Sequence, residues 1–547
     1  MSSRGQQIQL LMEGIRVSPD TEEAAILAIA RGKMKRAGIP TAALHFRLYK
    51  RSVDARHPED IRLVCSVLCE AEGDFPVPDA KRLAACGGRV METEPLSLPR
   101  GSEPMGGRPV VVGMGPAGMF CALLLAENGY APILIDRGDC VADRVRAVEA
   151  FTGGGVLDTE SNIQFGAGGA GTFSDGKLLT RIRDGRCHYV LERLHDFGAP
   201  TEILTQAKPH VGTDILRQVV DHLLERVRAC GGTVLYRARL DGLEEHGDGS
   251  LTLRTTAGDF HAPAVVLAIG NSARDTYRML IEGQYAIEPK PLSVGVRIEQ
   301  LQEDIDRALY GRFAGHPSLG HAEYALSDTR RERGVYTFCM CPGGQVIAAA
   351  SEEGGGVVNG MSTHARDGKN ANCALVVSVG CEDYEPVDGS TALGAIAYQR
   401  RIEREAFRLG GGDYRAPVLT VGDFLAGEVR HEPSRILPTY GGGRVRLADI
   451  SRAFPENVNE GLRYGLSSLN RKLHGFACPD AVLTAAETRT SAPIRILRDA
   501  EGRALGHPSV YPCGEGAGYA GGITSAAVDG IRTAQSLMAR FAPAGEA

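Results

Sequence analysis

The run Arg108-Pro-Val-Val-Val-Gly-Met-Gly-Pro-Ala-Gly118 constrains this chain more than any other segment. Val110 to Val112 is a β-branched run suited to a central parallel strand. Gly113 permits a tight turn out of it, Gly115 lets backbone approach a ligand, and Gly118 lets the next helix pack on the strand. Pro116 and Ala117 open that helix, and Pro116 sits where its missing N–H does no harm. Phe120 to Ala126 supplies an apolar helix face, and Gly129 ends the helix. A second strand, Pro132 to Ile135, leads to Asp136, 18 residues after Gly118. Strand, glycine turn, helix, strand and terminal acid follow the order of a dinucleotide-binding βαβ unit. In such a unit the helix N-terminus faces a pyrophosphate, and the acid accepts from ribose hydroxyls.

With 547 residues the chain is too long for one ordinary domain. Its net charge of -6 argues against nucleic acid or an anionic membrane as a partner. No apolar run reaches the roughly 20 residues of a membrane span, and the N-terminus is too polar for a signal peptide. The 13 cysteines then read as mostly buried small hydrophobes in a reduced, cytoplasmic protein. The oligomeric state is not legible.

The expected organisation has four segments. Residues 1–100 read as a small α+β, ferredoxin-like domain and linker. Its helix spans 21–37, with Asp20 as cap and Ala24, Ala25, Leu27 and Ala28 as apolar face. Residues 73–107, rich in Pro, Gly and charge, read as the linker. Residues 101–284 and 441–547 form two parts of a dinucleotide-binding domain, and 285–440 an inserted, mixed α+β, substrate-side domain.

Three further segments choose between FAD and NAD. Val265-Val-Leu-Ala268-Ile-Gly270-Asn271 resembles a strand and turn of flavoproteins with two dinucleotide-binding units. Tyr511-Pro-Cys-Gly514-Glu515, continuing to Gly522-Ile523-Thr524, resembles their second FAD signature. There the helix that follows aims its N-terminus at the flavin's pyrimidine edge. Asn162 to Lys177 has a Gly- and Ala-rich centre that lets backbone lie close to a flat ligand, with Ser174, Asp175 and Lys177 as polar handles. FAD is the expected cofactor. Its expected contacts are Gly113, Gly115, Pro116, Ala117, Gly118, Asp136, Arg137, Arg144, Gly168, Gly169, Gly171, Thr172, Phe173, Ser174, Asp175, Gly176, Lys177, Leu240, Ala268, Gly270, Asn271, Gly514, Glu515, Gly522, Ile523 and Thr524. Arg144 is expected to reach the cofactor phosphates.

Five segments together are specific: DRGDCVADRVRAVEAF, SNIQFGAGGAGTFSDGKL, AKPHVGTDIL, YTFCMCPGGQVIAAASEEGGGVVNGMS and PCGEGAGYAGGITSAAVDGI. With them the chain resembles a bacterial family of "NAD(FAD)-utilizing dehydrogenases" related to the HI0933-like flavoproteins. The leading YKRSVDARHPEDIRLVCSV also resembles that family's first domain. The resemblance covers nearly the whole chain and implies a glutathione-reductase-like or HI0933-like FAD fold. The family usually has Glu where this chain has Asp136. It often has GEGGAG where this chain has Gly166 to Gly171, which removes a carboxylate.

The expected function is an FAD-dependent oxidoreductase acting on a small molecule by flavin hydride transfer. A second full glycine fingerprint with a following acid is missing, so NAD(P)H, if used, binds transiently or without a dedicated Rossmann domain, and an organic substrate is the other source of electrons. The rival readings are a flavin monooxygenase and a non-catalytic FAD-binding or RNA-associated protein. Candidates for catalysis are Lys208 and His210 as polar or acid/base groups, Cys339 and Cys341, and Arg366 as a carboxylate-binding fork beside Glu352, Asn359 and Asn370. As a redox pair, C-x-C is less typical than C-x-x-C. Two cysteines alone do not make a structural zinc site, and no metal is expected. Packing in a loop facing the flavin domain is the expected role of Cys339 and Cys341.

Overall fold

The computed structural model describes residues 8–71, 75–91 and 95–543. It begins with β1 (Gln9–Val17), α1 (Glu23–Arg36), β2 (Leu44–Asp54), β3 (Arg62–Ala71), α2 (Ala80–Ala85) and β4 (Gly88–Met91). The four strands pair antiparallel in the order β2-β3-β1-β4, the layout of a split βαβ, ferredoxin-like unit. Two local expectations are corrected. Glu22, not Asp20, precedes α1, and Asp20 instead meets Ser18 and the His316 ring. The buried stripe of α1 is Ile26, Ala30 and Met34, while Ala24, Ala25 and Ala28 are exposed. The larger side chains remove more apolar area from water, so they take the inner face. The expected linker also carries structure. The Asp79 side chain caps α2 by accepting from the Lys81 and Arg82 N–H groups, and β4 pairs with β1.

The next elements are β5 (Val110–Val112), α3 (Pro116–Glu127), β6 (Ile133–Ile135), α4 (Val141–Thr152), α5 (Thr213–Ala229), β7 (Thr233–Leu235) and β8 (Val265–Leu267). The strands are parallel in the order β8-β5-β6-β7. Every residue of β5 and β8 is buried, as befits central strands covered on both faces. α3 is buried all round from Ala117 to Ala126, not on one face, because α5 and the last helix both pack on it.

The chain then builds a second layer from β9 (Leu292–Leu301), β10 (Ser327–Asp328), β11 (Val335–Cys341), β12 (Asn370–Val379), β13 (Ala416–Thr420), β14 (Val445–Leu447) and β15 (Val482–Glu487). Their order is β10-β11-β12-β9-β15-β13-β14. The centre is the antiparallel β9–β12 pair, in register from Leu292↔Val379 to Leu301↔Asn370. The expected boundary at 440 falls inside this layer. β14 and β15 lie beyond 440, and both are needed to cover β13. β16 (Val510–Pro512) returns to the first sheet beside β8, and α6 (Ile523–Arg540) packs along α3. Among the described residues, no helix is long and apolar enough to cross a membrane.

Candidate functional site

A cleft of about 430 Å³ opens between the parallel sheet and the seven-stranded layer. Gly113 and Gly115, after β5, and Ala268 to Asn271, after β8, form its floor. This is the carboxyl edge of the strands, where open α/β sheets place ligands. A methyl added at Gly113 would collide with the Ala268 carbonyl, and one at Gly118 with the Gly113 carbonyl. A methyl at Gly115 would meet nothing nearer than Gly169 Cα at 4.0 Å, because it points into the cleft. The Asp136 carboxylate is buried and accepts from Met114 N–H at 2.7 Å and Gly138 N–H at 2.8 Å. It therefore ties the glycine turn to the end of β6 while still lining the cleft.

Two helix N-termini open on this cleft. α3 starts after Gly115 and α6 after Gly522, and neither first turn has a side-chain cap. Uncapped first turns present N–H donors and partial positive charge to an anion. Between them, Asn271 Nδ2 donates to Glu515 Oε1 at 2.8 Å. Burial pushes the Glu515 carboxyl up, partly offset by that bond.

The loop over Asn162 to Lys177 forms one wall. Gly169, Gly171, Ser174, Asp175, Gly176 and Lys177 line it, together with Arg137 and Leu240 nearby. Arg137 stacks on Phe165 and is held by Glu160 and Asp275. Arg144 corrects its expectation. It is fully buried behind the wall and donates to the carbonyls of Asn162, Ile163, Gly166 and Ala167. Burial lowers its pKa to about 9. It shapes the loop instead of reaching phosphates. Phe173 lies behind the wall as well, between the Arg144 and Arg217 guanidinium groups. Gly118, Gly168, Thr172, Gly514 and Thr524 also stand outside the lining. Thr524 Oγ1 donates to the Leu178 carbonyl, and Gly514 N–H to Asp529, so these two brace the wall from behind.

The expected catalytic candidates separate. Lys208 projects outward with its side chain 60% exposed, 3.9 Å from Glu323. His210 stacks on His364 outside the cleft, and Nε2 donates to the His364 carbonyl at 3.2 Å. Burial, then Arg366, lowers its pKa to about 4, so it is neutral and ill suited to acid/base work at neutral pH. The Arg366 fork is already filled by Asp175 and Glu323. Burial alone would raise the Asp175 carboxyl, but Lys177 and Arg366 overrule it and hold it well below the usual range. Glu352 pairs with Arg274 and Arg400, and Asn370 bonds Glu299 and the Leu437 carbonyl. None of these three, Arg366, Glu352 and Asn370, is left to bind a substrate carboxylate.

Cys339 and Asn359 do line the cleft, on the face opposite the glycine turn. Cys339 and Cys341 belong to β11, not to a loop. Fully buried Arg297 organises this face. It donates to Glu487 at 2.8 Å, Asn359 at 2.7 Å, Asn372 at 3.0 Å and the Cys339 carbonyl at 2.9 Å. Glu487, Arg489 and Thr490 complete the wall at the end of β15, and the sequence did not single them out. Their segment has no glycine pattern or ligand spacing, and only the pairing of β15 with β9 brings them here.

Residues 291–490 match the family model "FAD-dependent protein, C-terminal domain-like". A protein of Clostridium beijerinckii, itself described as uncharacterized, is 45% identical over 501 residues, 90% of this chain and 92% of its own. The chain belongs to the same family as this relative. Solved structures give distant likenesses. CtdE in complex with FAD is 11% identical with a TM-score of 0.31, covering 80% of this chain and 84% of that one. NikD, an unusual amino acid oxidase, is 12% identical with a TM-score of 0.32, covering 81% and 98%. The cleft's donor set suits FAD, the cofactor named by that family model. The open approach at Gly115 and the two uncapped helix starts match a pyrophosphate and an electron-rich ring edge.

Proposed function

We propose that the chain is an FAD-dependent oxidoreductase, a dehydrogenase or reductase of the glutathione-reductase-like or HI0933-like class. One observation carries this reading. A single cleft joins the uncapped start of α3 to a wall of polar groups, Cys339, Asn359, Glu487 and Arg489, supplied by the other layer. When bound, FAD supplies hydride or electron transfer at its isoalloxazine. Gly113, Gly115 and Ala117 would hold the pyrophosphate, with Asp136 near a ribose. The start of α6 at Gly522 and Ile523 would meet the pyrimidine edge. Lys177, 2.9 Å from Asp175 and lining the cleft, keeps a positive charge at the wall. Arg297, through Asn359 and the Cys339 carbonyl, fixes the opposite face where a small-molecule substrate would sit. NAD(P)H would serve as a transient electron donor.

The test is an anaerobic reduction screen of the purified protein with NADH, NADPH and candidate metabolites, followed by flavin absorbance. Bleaching by at least one donor is expected. Protein that holds no FAD and takes up none removes the cofactor assignment. FAD-loaded protein that no donor reduces, though dithionite does, removes the oxidoreductase assignment.

A further inference from the structure

The two cysteines of β11 are placed unlike the chain's other buried thiols. Cys65, Cys69, Cys86, Cys121, Cys373 and Cys513 sit inside apolar clusters, as packing cysteines do. Cys339 and Cys341 belong to none of those clusters. They stand among Arg297, Lys177, Asp175 and Glu487. Cys339 forms part of the cleft wall, and Cys341 lies fully buried behind it.

The backbone between them is distorted. Cys339 has φ 45, in the left-handed region that a non-glycine residue adopts at a cost of about 1–3 kcal/mol. The β11–β12 register shifts between Phe338 and Cys341, so the strand bulges here. On a regular strand, residues two apart share a face but stand too far apart to bond. The bulge interrupts that regular spacing at the pair. Cys341 Sγ also lies 3.4 Å from the Cys339 carbonyl. Arg297 holds the kink by donating to that same carbonyl at 2.9 Å. The neighbouring Cys341, with the Arg297 and Lys177 charges, draws the Cys339 thiol down despite burial. Cys341 is correspondingly pushed up. One thiol is drawn down beside a partner that is pushed up, the arrangement that a reversible dithiol uses.

We propose that Cys339 and Cys341 form a redox-active dithiol that exchanges two electrons with the flavin. The inference rests on the FAD reading above. Oxidation forms the Sγ–Sγ bond from one thiolate and one thiol. The two electrons and the thiol proton pass to oxidised flavin, which becomes its anionic hydroquinone. The reverse step breaks the S–S bond and returns one thiol and one thiolate. No other reactant is required, and the direction follows from the two potentials.

Two measurements test this separately. The full chain is equilibrated across a glutathione redox series and trapped by alkylation, and the peptide holding both cysteines is weighed. A two-electron transition at this pair is expected, lost in both Cys339→Ser and Cys341→Ser. Thiols that remain alkylatable at every poise, including after diamide, overturn the proposal whether or not FAD is bound. The oxidised, FAD-loaded chain is then titrated anaerobically with dithionite. Uptake of twice the electrons per flavin taken by Cys341→Ser supports the coupling, and equal uptake refutes it. Protein that binds no FAD fails the cofactor reading, while the thiol series still reports on the pair.

Discussion

Gly115→Ala separates the cofactor site from the fold. The residue has φ -74, ordinary for any amino acid, and an added methyl has no neighbour closer than 4.0 Å. Folding should therefore tolerate it, with stability changed by no more than about 1 kcal/mol. The methyl would occupy the approach of the pyrophosphate to the start of α3. Losing two hydrogen bonds to a charged group, each worth about 1.5 kcal/mol, removes about 3 kcal/mol of binding. That corresponds to roughly 100-fold weaker FAD. The control is Gly118→Ala, whose methyl would strike the Gly113 carbonyl and approach the Ala268 Cβ at 3.3 Å. It should lower stability by about 2 kcal/mol through overpacking, whether or not FAD is present. The assay is flavin fluorescence during titration of apoprotein, beside urea unfolding of the same samples. A Gly115→Ala protein that binds FAD as the parent does would refute the placement of the pyrophosphate.

Three further outcomes follow from ionisable side chains packed into the fold. Arg144→Met should cost about 3–5 kcal/mol in urea unfolding, because four carbonyls lose their donor, and Arg144→Lys should not restore it since an ammonium cannot fork to them. His210 has a folded pKa of about 4, below the ordinary 6.5, so the unfolded chain binds the extra proton. Its contribution is present above about 6.5 and lost as pH falls towards 4, and His210→Gln should flatten the urea midpoint over that window. Glu352 runs in the same direction at lower pH. Burial would raise its carboxyl, but Arg400 and Arg274 hold it to about 2. Its stabilisation is present above the unfolded value near 4.5 and lost between there and about 2. Arg400→Met should reduce that acid slope, measured by unfolding across pH 2 to 5.

What the sequence made legible was local. Gly113 and Gly118 need to be glycine because main-chain carbonyls crowd them, Gly115 opens on the cleft, and that pattern is written in nearly consecutive residues. Gly522 and Ile523 are legible for the same reason, as a glycine run opening a helix. The errors share a different cause. Arg144 and Arg366 looked like ligands because an arginine is expected to face an anion. Their partners, carbonyls of residues 162–167 for one and Asp175 and Glu323 for the other, are chosen by tertiary packing. Arg297 shows the converse. It stands in an apolar strand with no motif, yet it meets Glu487, 190 residues away, because β9 and β15 are neighbours in the second layer. One consequence is that the chemistry of this cleft is divided between two kinds of information. The floor that grips a cofactor is encoded by short glycine patterns, which change little without losing the turn. The facing wall is encoded by the register of long strands, so substitutions that leave every motif intact can still move Cys339, Asn359 and Arg489. Relatives sharing the glycine turns should therefore hold the same cofactor while differing in what they oxidise or reduce, and the residues to compare among them are those facing the cleft on β11 and at the end of β15.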